Sequence, residues 1–342
     1  MKNCHSERSE ESRLSVTCIN TKIRDSSLTL RMTKTEFFKD FNDEKMEKIL
    51  LDTDIGSDID DVVCLSYLLC QPECELVGIT TTIGPVKERA KIASALCKNA
   101  EKEIPIVPGL RRPMLKDWHE HGLRQARALE NWEHDTDFPK IHAVEFMYDI
   151  IKQNPGEITL LAIGPFTNVG LLLASYPEVA GMLKQIVVMG GRFINKITNY
   201  STPLEWNVLC DPYAAAIVYN APVKLRSVGL DVTNCVCLQK QDVEKRFTSK
   251  MLLPALDFAH RYFDFAAERK HPEQIIFHDP LAAATIFDPE ICQFKKGNVD
   301  VELDSPRLKG FTHWEESPDG RHEIAVSVDA ERFFEHYFSI TA

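Results

Sequence analysis

No apolar run in the 342-residue sequence approaches the roughly 20 residues of a membrane span, so no spanning segment is expected. The first fifteen residues, MKNCHSERSEESRLS, have no apolar h-region, and no secretory signal is expected there. Positive charge is in deficit: 40 Lys and Arg face 51 Asp and Glu, a formal charge of -11. That balance argues against broad electrostatic binding to nucleic acid or to an anionic membrane. The ten cysteines form no CxxC pair and no zinc-finger spacing with histidine. Several, such as Cys64 and Cys97, sit in apolar runs, which fits reduced core thiols in a cytoplasmic protein. No internal repeat is present. The remaining composition, 44% apolar and 27% charged, is that of a globular chain with a sizeable core.

Residues 1–45 are rich in Ser, Glu, Lys and Arg with little apolar periodicity, and read as a disordered or loosely attached extension. Met46 precedes the first convincing strand and is a natural alternative start, with Met32 the other internal candidate. From there to residue 342 the sequence reads as a single domain of alternating strands and helices. Strands are expected at 48–54, 75–82, 157–164, 185–191 and 223–231, with a short one before Pro108-Gly109. Helices are expected at 60–70, 86–100, 142–153, 166–176, 211–220, 251–270 and 279–287. VDVEL and HEIAVSVD look like a late hairpin or edge pair. The alternation predicts an α/β fold, an open and mostly parallel sheet flanked by helices, with its ligand beyond the carboxyl ends of the strands.

The residues that follow the strands are chemically pointed. Asp52, Asp54, Asp58, Asp60 and Asp61 put five carboxylates within ten residues where the first strand passes into a helix. Such crowding is unfavourable unless a cation or hydrogen-bond donors neutralise it, and a hard divalent ion with oxygen ligands is the simplest answer. A solvated acidic loop with a capping Asp is the plainer alternative. An EF-hand is excluded, because Ser57 and Val63 stand where that loop needs Gly and Glu. Gly164-Pro165 permits a tight strand exit. Asn199, Glu205 and Asn207 suit multidentate hydrogen bonding to hydroxyls, although taken alone they read as well as a polar surface loop. His278-Asp279 at a strand-to-helix junction offers an acid or a ligand.

In this order, DTDIGSDIDD, GITTTIG, AIGPFTN, VVMGG, the N…TPLEWN…DP block, GLDVT and HDPLA resemble the inosine–uridine nucleoside N-ribohydrolase family, from about Lys48 to the C-terminal region. The resemblance implies Ca²⁺ at the strand ends of an open α/β sheet with a Rossmann-like core. The activity it implies is hydrolysis of the N-glycosidic bond of ribonucleosides, as in purine and pyrimidine salvage. The family motif reads DxDxGxDD, and here Asp58 and Ile59 stand as two extra residues before the pair. On that match Asp54 resembles the base that also ligates calcium, Asp61 and Asp279 the further carboxylate ligands, and Ile163 the carbonyl ligand. Asp60, Asn199, Glu205 and Asn207 resemble the ribose-binding set, Met189 a sugar-packing residue, and His278 the proton donor to the departing base. Asp58 competes with Asp60 and Asp61 for their roles. The resemblance also implies a homodimer or homotetramer. Two departures stand out: Gly84-Pro85 replaces Gly-Asn after the second strand, and RQARALENW follows His121-Gly122-Leu123 where the family has a Gly-rich loop bordering the base pocket. The rivals are a haloacid-dehalogenase-like phosphatase, which also places DxD after its first strand, and a non-catalytic nucleoside or ribose sensor on the same scaffold.

Overall fold

The computed structural model describes residues 46–115, 123–193 and 203–342. Asn199, His119 and His121 lie outside the described residues, as does the 1–45 extension.

The first strand, β1 (Glu47–Thr53), carries the unbroken run Ile49-Leu50-Leu51 because both of its faces are covered. Ile49 and Leu51 join one core cluster and Leu50 the other. The first cluster packs on helices α1 (Asp60–Cys70) and α2 (Val86–Asn99). The second packs on α3 (Ala143–Gln153) and α4 (Thr167–Ser175). Around β1 lie β2 (Cys74–Thr81), β3 (Ile106–Pro108), β4 (Ile158–Ala162), β5 (Gln185–Met189) and β6 (Leu225–Val228), all parallel. Helix α5 (Val179–Met182) precedes β5, while α6 (Trp206–Cys210) and α7 (Pro212–Asn220) precede β6. Asp211 caps α7 by accepting from Ala214 N at 3.1 Å, with Pro212 in the first turn.

With β9 (Cys292–Val301), β10 (Thr312–Glu316) and β11 (His322–Val328), a nine-stranded sheet results among the described residues, ordered β10-β9-β11-β6-β5-β4-β1-β2-β3. The chain winds outward from β1 to β3, then returns to lay β4 against the other side of β1. The strand order therefore reverses between β1 and β4, and a crevice opens beyond their carboxyl ends. Gly164 is needed at that reversal, since a Cβ there would sit 2.7 Å from the backbone N of Asp54.

The C-terminal strands differ from the expected late pair in one respect. β9 and β11 do pair antiparallel, but β11 also runs parallel against β6, and β10 covers β9. Neither expected strand is an edge. A two-stranded ribbon of β7 (Cys237–Gln239) and β8 (Gln274–Ile276) brings the chain to the site. Between β6 and the C-terminus run α8 (Leu230–Thr233), α9 (Lys240–Arg246), α10 (Leu253–Glu268), α11 (His278–Phe287) and α12 (Ala330–Thr341).

Candidate active site

Asp60 and Asp61 open α1, and Asp279 is the second residue of α11. The two helices point their N-termini at one place, where unpaired N–H groups and the helix dipole favour negative charge. One oxygen each from Asp60, Asp61 and Asp279 lies within 4.8 Å of the others, and all three side chains are buried. Burial pushes these carboxyls well above the usual range, and the neighbouring carboxylates push them further. Thr53 Oγ1 donates to Asp61 Oδ1, so the end of β1 fixes one member of the triangle. Three converging oxygens of high proton affinity form a donor set that fits a hard divalent cation.

Asp54 lines the same cavity but lies outside the triangle. Burial raises its carboxyl as well, opposed by the guanidinium of Arg89, whose Nη2 stands 3.7 Å from Asp54 Oδ2. The extra Asp58 is exposed and accepts from Ile59 N at 2.7 Å. The structure thus groups Asp60, matched to the ribose in the sequence, with the metal-type oxygens, and sets Asp54 beside them.

Glu205 caps α6. Its Oε1 accepts from Asn207 N at 2.7 Å, and its Oε2 from Val208 N at 3.0 Å and Gly191 N at 3.1 Å. Burial lifts its pKa to about 7 against those three bonds. Asn207 Nδ2 donates to Ile163 O at 2.9 Å and to Met189 O at 3.1 Å, tying the ends of β4 and β5 together. His278 is part-buried against Thr233, its Nδ1 2.6 Å from Thr233 Oγ1, and desolvation lowers its pKa to about 4. A neutral imidazole is its resting form near pH 7.

These groups line a cavity of about 520 Å³, the size of a small-molecule site. Asp54, Asp60, Asp61 and Asp279 line it together with Met189, Glu205 and Asn207. Tyr262, Phe265 and His271, on or just past α10, complete it, and the sequence reading did not reach them. Asp52, counted among the crowded carboxylates, accepts from Thr80 Oγ1 at 2.6 Å and Asn168 Nδ2 at 2.7 Å. Burial lifts Asp52 to about 7, and its Oδ2 has no hydrogen-bond partner. Both oxygens are fully enclosed, so Asp52 braces β1, β2 and α4 rather than the cavity.

The inosine-uridine preferring nucleoside hydrolase family matches residues 49–335, the span that builds this sheet and its carboxylate crevice. The chain belongs to that family. It is 33% identical over 267 residues to a probable uridine nucleosidase 1 of Oryza sativa subsp. japonica, covering 75% of this chain and 81% of that protein. With the inosine-uridine preferring nucleoside hydrolase of Leishmania major it shares 29% over 313 residues, 84% of this chain and 95% of that one. Among solved structures, a plant nucleoside hydrolase superposes with a TM-score of 0.76 at 25% identity, covering 86% of this chain and 98% of that one. A purine-preferring ribonucleoside hydrolase from Gardnerella vaginalis gives 0.75 at 27%, with the same coverage. The nucleoside hydrolase is accordingly an enzyme acting on N-glycosyl bonds of ribonucleosides, and the phosphatase alternative falls away. Among the described residues, no helix is long and apolar enough to cross a membrane.

Proposed function

We propose that this nucleoside hydrolase releases free base and ribose from ribonucleosides, with Ca²⁺ as its resident ion. The observation that carries the reading is the buried triangle of Asp60, Asp61 and Asp279 beside Asp54 in a cavity sized for a nucleoside. Asp61 and Asp279 would hold the ion, with Asp54 and the Ile163 carbonyl completing the set taken from the sequence match. The triangle supports Asp60 as a further ligand or as the group that grips a ribose hydroxyl next to it. When bound, a hard cation supplies a Lewis-acidic centre that acidifies water and favours a cis-diol, which disfavours 2′-deoxy substrates.

The chain's own groups do the rest. Asp54 accepts the proton of the attacking water. Glu205 and Asn207, immobilised by the bonds described above, hold the ribose in a geometry that suits an oxocarbenium-like transition state, and Asn199 joins them in the sequence match. Met189 packs against the sugar. His278 passes a proton to the departing base and relieves its developing negative charge. Tyr262 and Phe265 give the base apolar surface. Five of the eight described cysteines are buried, which supports the reading of reduced core thiols in a cytoplasmic setting. The family resemblance supports a homodimer or homotetramer.

A reducing-sugar assay over a panel of ribonucleosides and their 2′-deoxy counterparts, with metal content measured on the same sample, tests the reading. Ribose release from ribonucleosides, bound calcium and poor turnover of the deoxy compounds are expected. Substrate binding without ribose release would instead make the protein a sensor on this scaffold.

A further inference from the structure

Arg89 has no part in the chemistry assigned above, yet its guanidinium lies 3.7 Å from the Asp54 carboxylate and the residue is only 3% exposed. It stands on the buried stripe of α2 with Val86, Ala90 and Ala93. A charged side chain on such a stripe is unfavourable unless its donors are satisfied. Here they are. Nε donates to Ile83 O at 2.7 Å, Nη1 to Ile55 O at 2.9 Å and Nη2 to Ser57 Oγ at 2.8 Å.

The fork therefore joins two strand exits. One is the β2 exit, where Ile83 has φ 55° and Gly84 φ 76°. A β-branched residue in the left-handed region is strained and persists only when its surroundings hold it. Ile83 N and Gly84 N are held by Leu110 O and Arg111 O at 2.7 and 2.9 Å, so the Ile83 carbonyl is a fixed anchor. The other exit is the Asp54–Ser57 turn, which contains Gly56 at φ 102° and carries one of the crowded carboxylates. Left alone, like charges would drive Asp54 away from the Asp60–Asp61–Asp279 triangle. Arg89 opposes that by charge, since 3.7 Å is too long for a hydrogen bond, and by bonding to the turn on either side of Gly56.

We propose that Arg89 is a positioning residue for the hydrolytic reaction: its guanidinium fork locks the Asp54–Ser57 turn, so that the Asp54 carboxylate faces the cavity in one orientation. The inference rests on the reading of Asp54 as the group that takes the proton from water. The ribose contacts of Glu205 and Asn207 come from α6, away from this turn, so loss of the fork should cost turnover more than substrate affinity.

Arg89→Ala and Arg89→Lys, compared with wild type for kcat, KM, Tm and rescue by millimolar guanidinium, test this. Arg89→Ala should lose about 10²-fold in kcat, the scale of a misplaced reacting group, with a much smaller rise in KM. Guanidinium should restore part of that kcat, and Arg89→Lys, which keeps charge without the fork, should fall between. A folded Arg89→Ala protein with wild-type kcat would overturn the proposal. So would a rise in KM alone, or a kcat loss that follows Tm and ignores guanidinium. If the alanine variant does not fold, wild-type kcat and KM in Arg89→Lys overturn it equally. A wild type that releases no ribose would overturn the underlying reading together with this one, whereas an active wild type beside unaffected variants overturns the role of Arg89 alone.

Discussion

Asp61→Asn should change the stability of the nucleoside hydrolase in opposite directions with and without calcium. The substitution keeps the shape of the side chain and an oxygen that can still accept from Thr53 Oγ1, so packing is preserved. What it removes is charge. At a separation of 4.8 Å or less, each ionised pair in the Asp60–Asp61–Asp279 triangle repels by about 3.5 kcal/mol at an effective dielectric constant of 20. Asparagine at 61 deletes two of the three pairs, about 7 kcal/mol at 4.8 Å if all three were ionised, which partial protonation reduces. In EDTA the variant should therefore melt above wild type, by roughly 2 °C or more. With calcium the sign reverses. Removing a group that merely orients a metal ligand weakens binding by about 10–100-fold, so removing a charged ligand should weaken it by at least the upper figure. At a fixed excess of calcium, a hundredfold loss of affinity withdraws about 2.7 kcal/mol of stabilisation.

The pH dependence carries the same sign change. The three carboxyls have folded pKa values above their unfolded ones. Their contribution to metal-free stability is present below pH ~4 and is lost as pH rises through the folded values. The metal-free protein should thus gain from mild acidification relative to pH 8. Protons compete with calcium, so the calcium-loaded protein should lose. Differential scanning calorimetry in EDTA and in calcium over that range, with metal content by elemental analysis, checks both. An Asp61→Asn protein that is destabilised equally in both media, or that keeps full metal content and rate, would refute the reasoning and pass the ligand role to Asp58 or Asp60.

Two further outcomes are expected. His278→Ala should slow hydrolysis of natural nucleosides by about 10²-fold, the low end for general acid catalysis because the buried imidazole rests neutral, while sparing a p-nitrophenyl riboside that needs no proton; equal loss on both would make His278 a support for Asp279. A chain beginning at Met46 should match the full chain in Tm and turnover, and a large loss in either would show that residues 1–45 pack on the domain or complete its site.

The sheet was legible because its parallel strands are buried on both faces and announce themselves as short apolar runs, such as Leu160-Leu161 and Val187-Val188. The elements that escaped have weaker signals. β10 reads Thr-His-Trp-Glu-Glu and lies at an edge, where alternation is not enforced, while β7 and β8 have three residues each. The terminal helix α12 did leave a trace, with Asp329 as its N-cap and Phe333 and Tyr337 one turn apart on the buried face. At the site, residues that directly follow strands were found because topology sends them to the crevice. Arg89 follows no strand. Its place on the apolar stripe of α2 was the signal, and a charged residue there invites the assumption that it points to solvent.

The segments that the sequence match sets apart from the family motif meet at one point. On that match the Asp loop carries two extra residues, Asp58 and Ile59, and a longer loop of like charges needs more anchors. Gln125 supplies one, donating from Nε2 to Asp58 O at 2.7 Å, and it belongs to the RQARALENW stretch that replaces the Gly-rich loop. Leu123, beside it, packs against Gly56: a Cβ on that glycine would meet Leu123 Cδ1 at 3.1 Å. Arg89 supplies the others from the helix that Pro85 introduces, its own N–H donating to Pro85 O at 3.1 Å. The Asp loop, the 123–132 segment and the Pro85 turn are thus joined behind Asp54 by these contacts. Changing the three segments together to the family motif should therefore cost less turnover than the sum of the single changes, Pro85→Asn included, because residues in contact do not act independently.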